Sequence, residues 1–319
     1  MSAAILFDRD QVEHLDDISD RPRRLSGTKL LWVDVDGRSE DDVSEVAEAF
    51  GLDDETRAGL AESRDRAVFR DYGRYLHVTA YAPTDDEECR LVALDCVVGE
   101  NWVVTAHDEP IAVLEEFAAR VSGSGDTGSL DGPHFLAALM EWVLGSYSAA
   151  FERIEQSLEE FDVQAMRGDA DAERDIEKLI AMRRQVGELR RALAAHRSAL
   201  VSLTYPELEA LGDEAAGERF QALLSRFEST MQEARDAREA IVGSFDVLIA
   251  RGGQRTNEIM KVLTLASVIL LPGALIAGVM GMNFKVGLFD NPSLFWVVVV
   301  AIVAIAPVAI GLAKRWDWI

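Results

Sequence analysis

The residues best suited to do chemistry in this sequence lie where an apolar segment ends. Residues 262–280 form an apolar run, and Gly281-Met282-Asn283 follows it directly. This polar corner at the end of the run is the first candidate for a functional site. Glycine and asparagine are also favoured at helix C-termini, so a plain helix cap is the alternative.

Acid–base and thiol chemistry have weaker support. His107-Asp108-Glu109 is the only short cluster with acid–base potential, and its place at a predicted strand end before Pro110 is typical of a plain turn. We find no nucleophile motif and no phosphate-binding loop. Cys89 and Cys96 stand without a metal-ligand pattern. The sequence therefore predicts a protein that is not an enzyme, needs no cofactor and has two free thiols.

Carboxylates dominate the charge of the chain, whose formal net charge is −24. This balance argues against a nucleic-acid partner, because binding to phosphates needs a basic surface. The densest acidic group lies around residue 168 and comprises Glu159, Glu160, Asp162, Asp169, Asp171, Glu173, Asp175 and Glu177. It is interpreted either as a ring that concentrates cations or as a solvated helix face.

Two apolar segments near the C-terminus must position the Gly-Met-Asn corner. A helix of 19 residues is about 29 Å long, which matches the apolar core of a bilayer. The sequence therefore predicts a first membrane-spanning helix over about 262–282, an external loop over 284–293, a second spanning helix over 294–313 and a basic tail over 314–319. Basic residues flank both spans on one side: Arg251, Arg255, Lys261, Lys314 and Arg315. No secretory signal heads the chain, and the positive-inside rule then places both termini in the cytoplasm, at the plasma membrane.

The residues before the spans predict a large cytosolic part. Residues 1–125 have the pattern of an α/β domain, 133–205 that of a helical hairpin, and 216–283 that of one continuous stalk helix that runs into the first span. Predicted strands are Leu30–Val35, Tyr75–Ala82, Arg90–Val98 and Trp102–Ala106, and predicted helices are Asp41–Phe50, Asp53–Glu62 and a segment that starts at Pro110. Gly99-Glu100-Asn101 predicts a tight hairpin turn.

Several segments together resemble the CorA family of divalent-cation channels and transporters. The similar residues are Thr256–Thr264, Pro272, Ile276–Gly278, Gly281–Phe284 and Lys314–Trp316, with weaker similarity at Leu31–Val35, Phe50–Leu52, Tyr72–Leu76 and Trp102–Thr105. The resemblance implies a funnel-shaped homopentamer in a lipid bilayer. The first span of each subunit would surround one pore, and the second span would face lipid.

The resemblance also implies which residues meet the ion. Pore-lining positions would be Asn257, Met260, Leu263 (or Thr264), Ser267, Leu271, Ala274 and Gly278, and the selectivity filter would be Gly281, Met282 and Asn283. No carboxylate lies between Ile259 and Asp290, so we expect the ion to keep most of its first-shell water, as Mg²⁺ does readily. The expected cargo is Mg²⁺, with Co²⁺ or Ni²⁺ as further candidates.

The chain departs from the family's pattern at several positions. Gly59 and Ala222 stand where carboxylates that sense Mg²⁺ between subunits are expected. Met280 replaces a common aromatic residue, and Ala274 replaces a common threonine. The missing sensor keeps a second interpretation open, a zinc transporter similar to the ZntB branch and driven by protons. Met282 favours the magnesium interpretation, because that branch usually has valine there.

Overall fold

The structure, a computed structural model, describes most of the chain in two compact units. The described residues are 3–8, 11–15, 18, 25, 29–63, 67–86, 88–123, 131–167, 172–205, 214–282, 292–316 and 318. The units are Met1–Ser244 and Phe245–Ile319. Asn283, Lys285 and Asp290 lie outside the described residues.

A seven-stranded sheet forms the centre of the first unit. Its strands are β1 (Ala3–Asp8), β2 (Gln11–Leu15), β3 (Lys29–Asp36), β4 (Phe69–Asp71), β5 (Leu76–Pro83), β6 (Leu91–Val98) and β7 (Trp102–His107). Their order across the sheet is β2-β1-β3-β7-β6-β5-β4. β3 pairs with β7 in parallel, and the other neighbours are antiparallel. Strands β6 and β7 form the predicted hairpin, in which the Gly99 N–H donates to the Trp102 carbonyl at 2.9 Å.

In the described part of the chain, six helices begin in the first unit. They are α1 (Glu40–Phe50), α2 (Asp54–Ala61), α3 (Ala112–Gly123), α4 (Gly132–Arg167), α5 (Ala172–Leu203) and α6 (Glu214–Met280). At the start of α1 the Ser39 side chain accepts a hydrogen bond from the Asp42 N–H. The helix ends at Gly51, whose φ of 63° is the left-handed conformation that glycine adopts without strain.

Helix α4 begins in direct contact with the turn between β6 and β7. The Gly132 N–H donates to the Glu100 carbonyl at 2.8 Å. A Cβ atom at Gly132 would lie 2.0 Å from the Gly99 carbonyl oxygen, so the contact requires glycine. The Asp131 carboxylate accepts the His134 N–H at 2.9 Å and caps the helix. These contacts fix the entry of α4 onto the sheet.

An aromatic cluster holds α3 and α4 against the sheet. The rings of Trp32, Phe117 and Phe135 lie with their centroids 5.1–6.1 Å apart. All three side chains are buried. The indole N–H of Trp32 donates to the hydroxyl of Thr105 on β7 at 2.9 Å, so its polar atom is satisfied in the core.

Helices α4 and α5 close the edge of the sheet where the short strand β4 stops. The Tyr81 N–H on β5 donates to Nε2 of His196 at 2.8 Å. The Tyr81 carbonyl accepts the hydroxyl of Tyr147 at 2.9 Å. One side chain from each helix therefore forms a hydrogen bond with the backbone of β5.

A buried ion cluster lies under α2. Arg38 is 6 % exposed and pairs with Asp95 at 2.7 Å. Its guanidinium also donates to the carbonyls of Gly59, Leu60, Ala93 and Ala106 at 3.1–3.3 Å. Burial raises the pKa of Asp95, but His77 and Arg38 outweigh that effect and hold the pKa below its usual range. The cluster ties α2 to two strands.

The second unit contains the C-terminal part of α6 and helix α7 (Pro292–Arg315). Both helices are long and apolar enough to cross a membrane. Large apolar side chains along them are exposed, among them Leu270, Leu275, Val300 and Val303 at 64–69 %. Exposure of this kind is expected where lipid covers the surface.

The predicted fold class is confirmed, namely an α/β part, a long helix and two apolar C-terminal helices. Strands β1, β2 and β4 were not predicted, since they are short or lie in a segment of mixed polarity. The α/β part and the helical hairpin, which the sequence suggested as separate domains, belong to one compact unit.

Candidate functional site

Within the second unit, α7 approaches one face of α6. The Ile302 Cγ2 atom lies 3.4 Å from the position that a Cβ atom would have at Gly273. Partly buried residues of α6 extend this face along the helix and comprise Leu265, Ile269, Gly273, Ile276 and Met280. Glycine allows the two helices to approach closely, as is common for packed spans.

The predicted pore-lining residues lie on the other side of α6. At 100° per residue they fall roughly opposite the face that meets α7. Asn257, Met260, Leu263, Leu271, Ala274 and Gly278 are exposed, and Ser267 is partly buried. The structure therefore brings these residues onto one uncovered face of a single helix, and places no ionisable side chain on α6 after Lys261.

Hydroxyl groups add polarity to this helix without breaking it. The Thr264 hydroxyl donates to the Met260 carbonyl at 2.7 Å, and the Ser267 hydroxyl donates to the Leu263 carbonyl at 2.9 Å. Each hydroxyl oxygen keeps lone pairs that can accept a hydrogen bond from water. Polar acceptors are thus available along a segment that has no charge.

Gly281 and Met282, the two described residues of the Gly-Met-Asn corner, directly follow the end of α6. The Gly281 N–H donates to the Ala277 carbonyl at 2.9 Å and the Met282 N–H to the Val279 carbonyl at 3.3 Å. Gly281 does not have the positive φ seen at Gly51, so the left-handed cap that favours glycine is not formed at this residue. Met282 is 52 % exposed.

The positions of the expected Mg²⁺ sensor differ in their surroundings. Gly59 is buried, and its carbonyl accepts a hydrogen bond from Arg38 at 3.2 Å. Ala222 is exposed and lies in a small cavity of about 150 Å³ beside Arg219 and Arg226. Glu141 also lines this cavity, and Ala222 itself offers only a methyl group, which cannot bind a cation.

The three side chains of the His107-Asp108-Glu109 cluster each contact a different residue. Burial lowers the pKa of His107, but the hydrogen bond and charge of Asp34, 3.2 Å away, outweigh it and raise the pKa. The other two side chains point to arginines, Asp108 to Arg38 at 3.1 Å and Glu109 to Arg90 at 2.9 Å. The three groups do not converge on a common substrate position.

The acidic helices show mutual repulsion rather than a metal site. Burial and the neighbouring carboxylates, Asp236 first among them, raise the pKa of Glu155 on α4. Within the described residues, no group of three or more His, Cys, Asp or Glu side chains is placed to hold a metal ion. Cys89 and Cys96 are free thiols. Asp169 and Asp171, at the predicted tip, lie outside the described residues.

Two features were not predicted from the sequence: the buried ion pair of Arg38 with Asp95 and the contact between α6 and α7 at Gly273. Nothing in the local pattern marks Arg38 as buried, because its partner Asp95 is 57 residues away. The contact at Gly273 had a usable signal, a small residue at the centre of an apolar run.

The fold and the helix face define the class of this molecule. Three parts together are those of a membrane transport protein: an α/β unit, a helix of 67 residues whose C-terminal part is suited to a bilayer and has an exposed face without charge, and a second helix suited to a bilayer. The chain belongs to the family described as "CorA-like Mg2+ transporter protein", whose model matches residues 27–315. It is therefore a divalent-cation transporter by family and not an enzyme.

Named relatives cover almost the whole chain. The cobalt/magnesium transport protein CorA of Methanocaldococcus jannaschii is 26 % identical over 296 residues, which is 91 % of this chain and 92 % of the relative. The magnesium transport protein CorA of Haemophilus ducreyi is 25 % identical over 316 residues, with 93 % and 91 % covered.

Solved structures show the same fold. The complete structure of the M. jannaschii CorA magnesium transporter matches with a TM-score of 0.81 at 22 % identity and covers 99 % of this chain and 98 % of that one. The cytoplasmic domain of ZntB from Vibrio parahaemolyticus matches with a TM-score of 0.62 at 12 % identity over 79 % of this chain and 98 % of that one.

Proposed function

We propose that five copies of this chain form a pore that passes hydrated divalent cations, with Mg²⁺ as the principal cargo. The observation that carries the proposal is the absence of any ionisable side chain on α6 between Lys261 and its end at Met280. The cargo is proposed by analogy with the relative in M. jannaschii, which is named a cobalt/magnesium transport protein. Co²⁺ and Ni²⁺ are further candidate ions.

The chemistry of Mg²⁺ explains why such a pore needs no charged ligand. Mg²⁺ gives up its first-shell water reluctantly, and a bare ion would need carboxylates to replace that water. A hydrated ion instead presents water protons, which carbonyl and amide oxygens accept. In the proposal, Gly281, Met282 and Asn283 form the filter, and the side-chain oxygen of Asn283 binds this water.

The uncovered face of α6 supports the placement of the pore. Asn257 would form a polar ring at the inner mouth. Met260 and Leu263, at 54 % and 60 % exposure, would form apolar rings that close the pore by dewetting. Small residues at Ala274 and Gly278 would leave room for the water around the ion.

The orientation follows from basic residues beside both spans. Arg251, Arg255 and Lys261 precede the first span, and Lys314 and Arg315 follow the second. The positive-inside rule then assigns both termini to the cytoplasm and the segment 284–293 to the outside of the plasma membrane.

We also propose that this protein lacks the usual sensor of cytosolic Mg²⁺. The buried Gly59 has no side chain to offer, and Ala222 has only a methyl group. A map of the protein in Mg²⁺ with density for an ion between subunits at Gly59 would exclude this proposal.

Flux into liposomes tests the filter. Mg²⁺, Co²⁺ and Zn²⁺ uptake is measured for wild type, for Asn283→Ala and for the matched control Asn291→Ala, which changes the same side chain type eight residues later. We expect Asn283→Ala to alter flux and selectivity strongly and Asn291→Ala to resemble wild type. Equal flux in all three proteins would remove Asn283 from the filter.

The same assay decides about the alternative, a zinc transporter driven by protons. This alternative is favoured by the missing sensor residues and by the fold that the chain shares with the ZntB domain. Zn²⁺ uptake that requires a proton gradient, with little Mg²⁺ uptake, would support it over the magnesium pore.

A further inference from the structure

A basic and aromatic cluster lies next to the apolar segments of the second unit. In the described part of the chain from Phe245 onward, the basic residues are Arg251, Arg255, Lys261, Lys314 and Arg315, and the acidic residues are Asp246 and Glu258. Positive charge therefore dominates this region, although the whole chain has a formal net charge of −24.

The helix contact sets the depth of these charges. Gly273 and Ile302 meet near the middle of the two apolar runs, and a short connection joins antiparallel neighbours. Lys261 lies twelve residues before this contact in α6, and Lys314 twelve residues after it in α7. Each lies about 18 Å along its helix from the contact, so the two lysines share one level.

This level coincides with the lipid headgroups. The apolar core of a bilayer extends about 15 Å from its middle, and the headgroup region ends at about 20–22 Å. A contact near the middle of both runs places Lys261 and Lys314 between these limits. Arg315 is the next residue and, like Lys314, is exposed.

Aromatic side chains mark the same level. Trp316 is 74 % exposed and directly follows the two basic residues. The Trp318 N–H donates to the Ala313 carbonyl at 2.9 Å, so the chain turns back beside the end of α7. Exposed tryptophan at the end of a span favours the interface between lipid and water. Lys261 is only partly exposed, as expected when its aliphatic stem lies along apolar surface.

We infer that Lys314 and Arg315, together with the indole of Trp316, bind the headgroup phosphate of an anionic phospholipid in the adjoining leaflet, while Lys261 adds positive charge at the same level. Ammonium and guanidinium groups bind phosphate oxygens, and the net negative charge of the lipid distinguishes it from a zwitterionic one. The inference rests on the membrane insertion that the proposed function requires.

Lipid retention by the intact protein tests this site. Wild type is reconstituted in vesicles of phosphatidylcholine and phosphatidylglycerol at about three to one, extracted into detergent, and the lipids that remain bound are counted by native mass spectrometry. We expect wild type to retain phosphatidylglycerol preferentially. Lys314→Gln with Arg315→Gln lowers this preference about 30-fold, since each basic residue near an anionic surface contributes about 1 kcal/mol.

Two further variants separate charge from folding. Arg190→Gln with Arg191→Gln removes an adjacent pair of exposed arginines from α5 and retains phosphatidylglycerol like wild type. Lys314→Arg with Arg315→Lys keeps both charges and also retains it. The inference is overturned if wild type shows no preference, if the glutamine variant at 314 and 315 keeps it, or if the charge-conserving variant loses it.

The assay is independent of transport. Retention is measured without a cation gradient, whereas the proposed pore is tested by cation flux into liposomes. Failure to observe preferential lipid retention therefore does not contradict the proposed pore, and an unchanged flux in Asn283→Ala does not contradict the lipid site.

Discussion

The contact between His196 and Tyr81 makes the stability of the first unit depend on pH. Nε2 of His196 accepts the Tyr81 N–H at 2.8 Å, so the ring must be neutral with its proton on the other nitrogen. Burial lowers the pKa of His196 to about 4. In the unfolded chain a histidine has a pKa of about 6.5.

These two pKa values determine the direction in which the stability changes with pH. Between about pH 6.5 and 4 the unfolded chain binds a proton at His196 that the folded chain does not bind. Stability is therefore complete above pH 6.5 and falls as the pH decreases through this window. At 1.36 kcal/mol per pKa unit, the loss is about 1 kcal/mol between pH 7.5 and 5.5 and about 3 kcal/mol below pH 4.

Thermal unfolding of the intact protein in detergent measures this effect. A loss of 1 kcal/mol lowers the unfolding midpoint by about 2–4 °C for a unit of this size. Wild type and His196→Gln are compared at pH 7.5 and 5.5. We expect the variant to be less stable at pH 7.5, and its midpoint to fall about 2–4 °C less than that of wild type on acidification.

His14→Gln is the matched control, because it removes a histidine that is exposed on β2. Its pH response should equal that of wild type. Comparison of variants is needed because other groups contribute to the response between pH 7.5 and 5.5, such as His107, whose raised pKa acts in the opposite direction. Equal pH responses of wild type and His196→Gln would refute the reasoning.

Two further predictions concern the first unit. Gly132→Ala should lower its stability by about 3 kcal/mol, because the new Cβ meets a backbone oxygen at 2.0 Å, whereas Gly145→Ala in the same helix meets nothing within 4 Å and should stabilise by about 1 kcal/mol. Chemical denaturation compares the pair, and equal stabilities would contradict the packing. Arg38→Met should cost about 3–5 kcal/mol, since Asp95 loses its buried arginine and keeps only the contact with His77 among its charge partners. Arg57→Met on the exposed side of α2 should change stability by less than about 0.5 kcal/mol. A similar midpoint shift for both arginine variants would show that the buried pair contributes little.

Periodicity predicted much of this fold. The strands that became β3, β5, β6 and β7 are apolar runs bounded by turn residues, and such runs carry their signal locally. The seven-strand order could not be predicted, because the parallel pairing of β3 with β7 joins residues that are about 70 positions apart. Local patterns do not specify which distant strands pair.

The part of the candidate site that lies on α6 could be predicted from the sequence. Residues three and four apart share a face, so Asn257, Met260 and Leu263 could be grouped from spacing alone. The side that meets α7 depends on the contact at Gly273, which spacing does not reveal. The filter residue Asn283 lies outside the described residues and stays a prediction.

Helices α4 and α5, which contact the edge of β5, are synthesised later than the strands of the sheet. The ribosome completes the sheet strands long before it reaches His196, which follows Tyr81 by 115 residues. At about 5–20 residues per second this interval lasts roughly 6–23 s. During synthesis the backbone groups of Tyr81 therefore stay open to other nascent strands, and the late helices α4 and α5 end that exposure only when they dock.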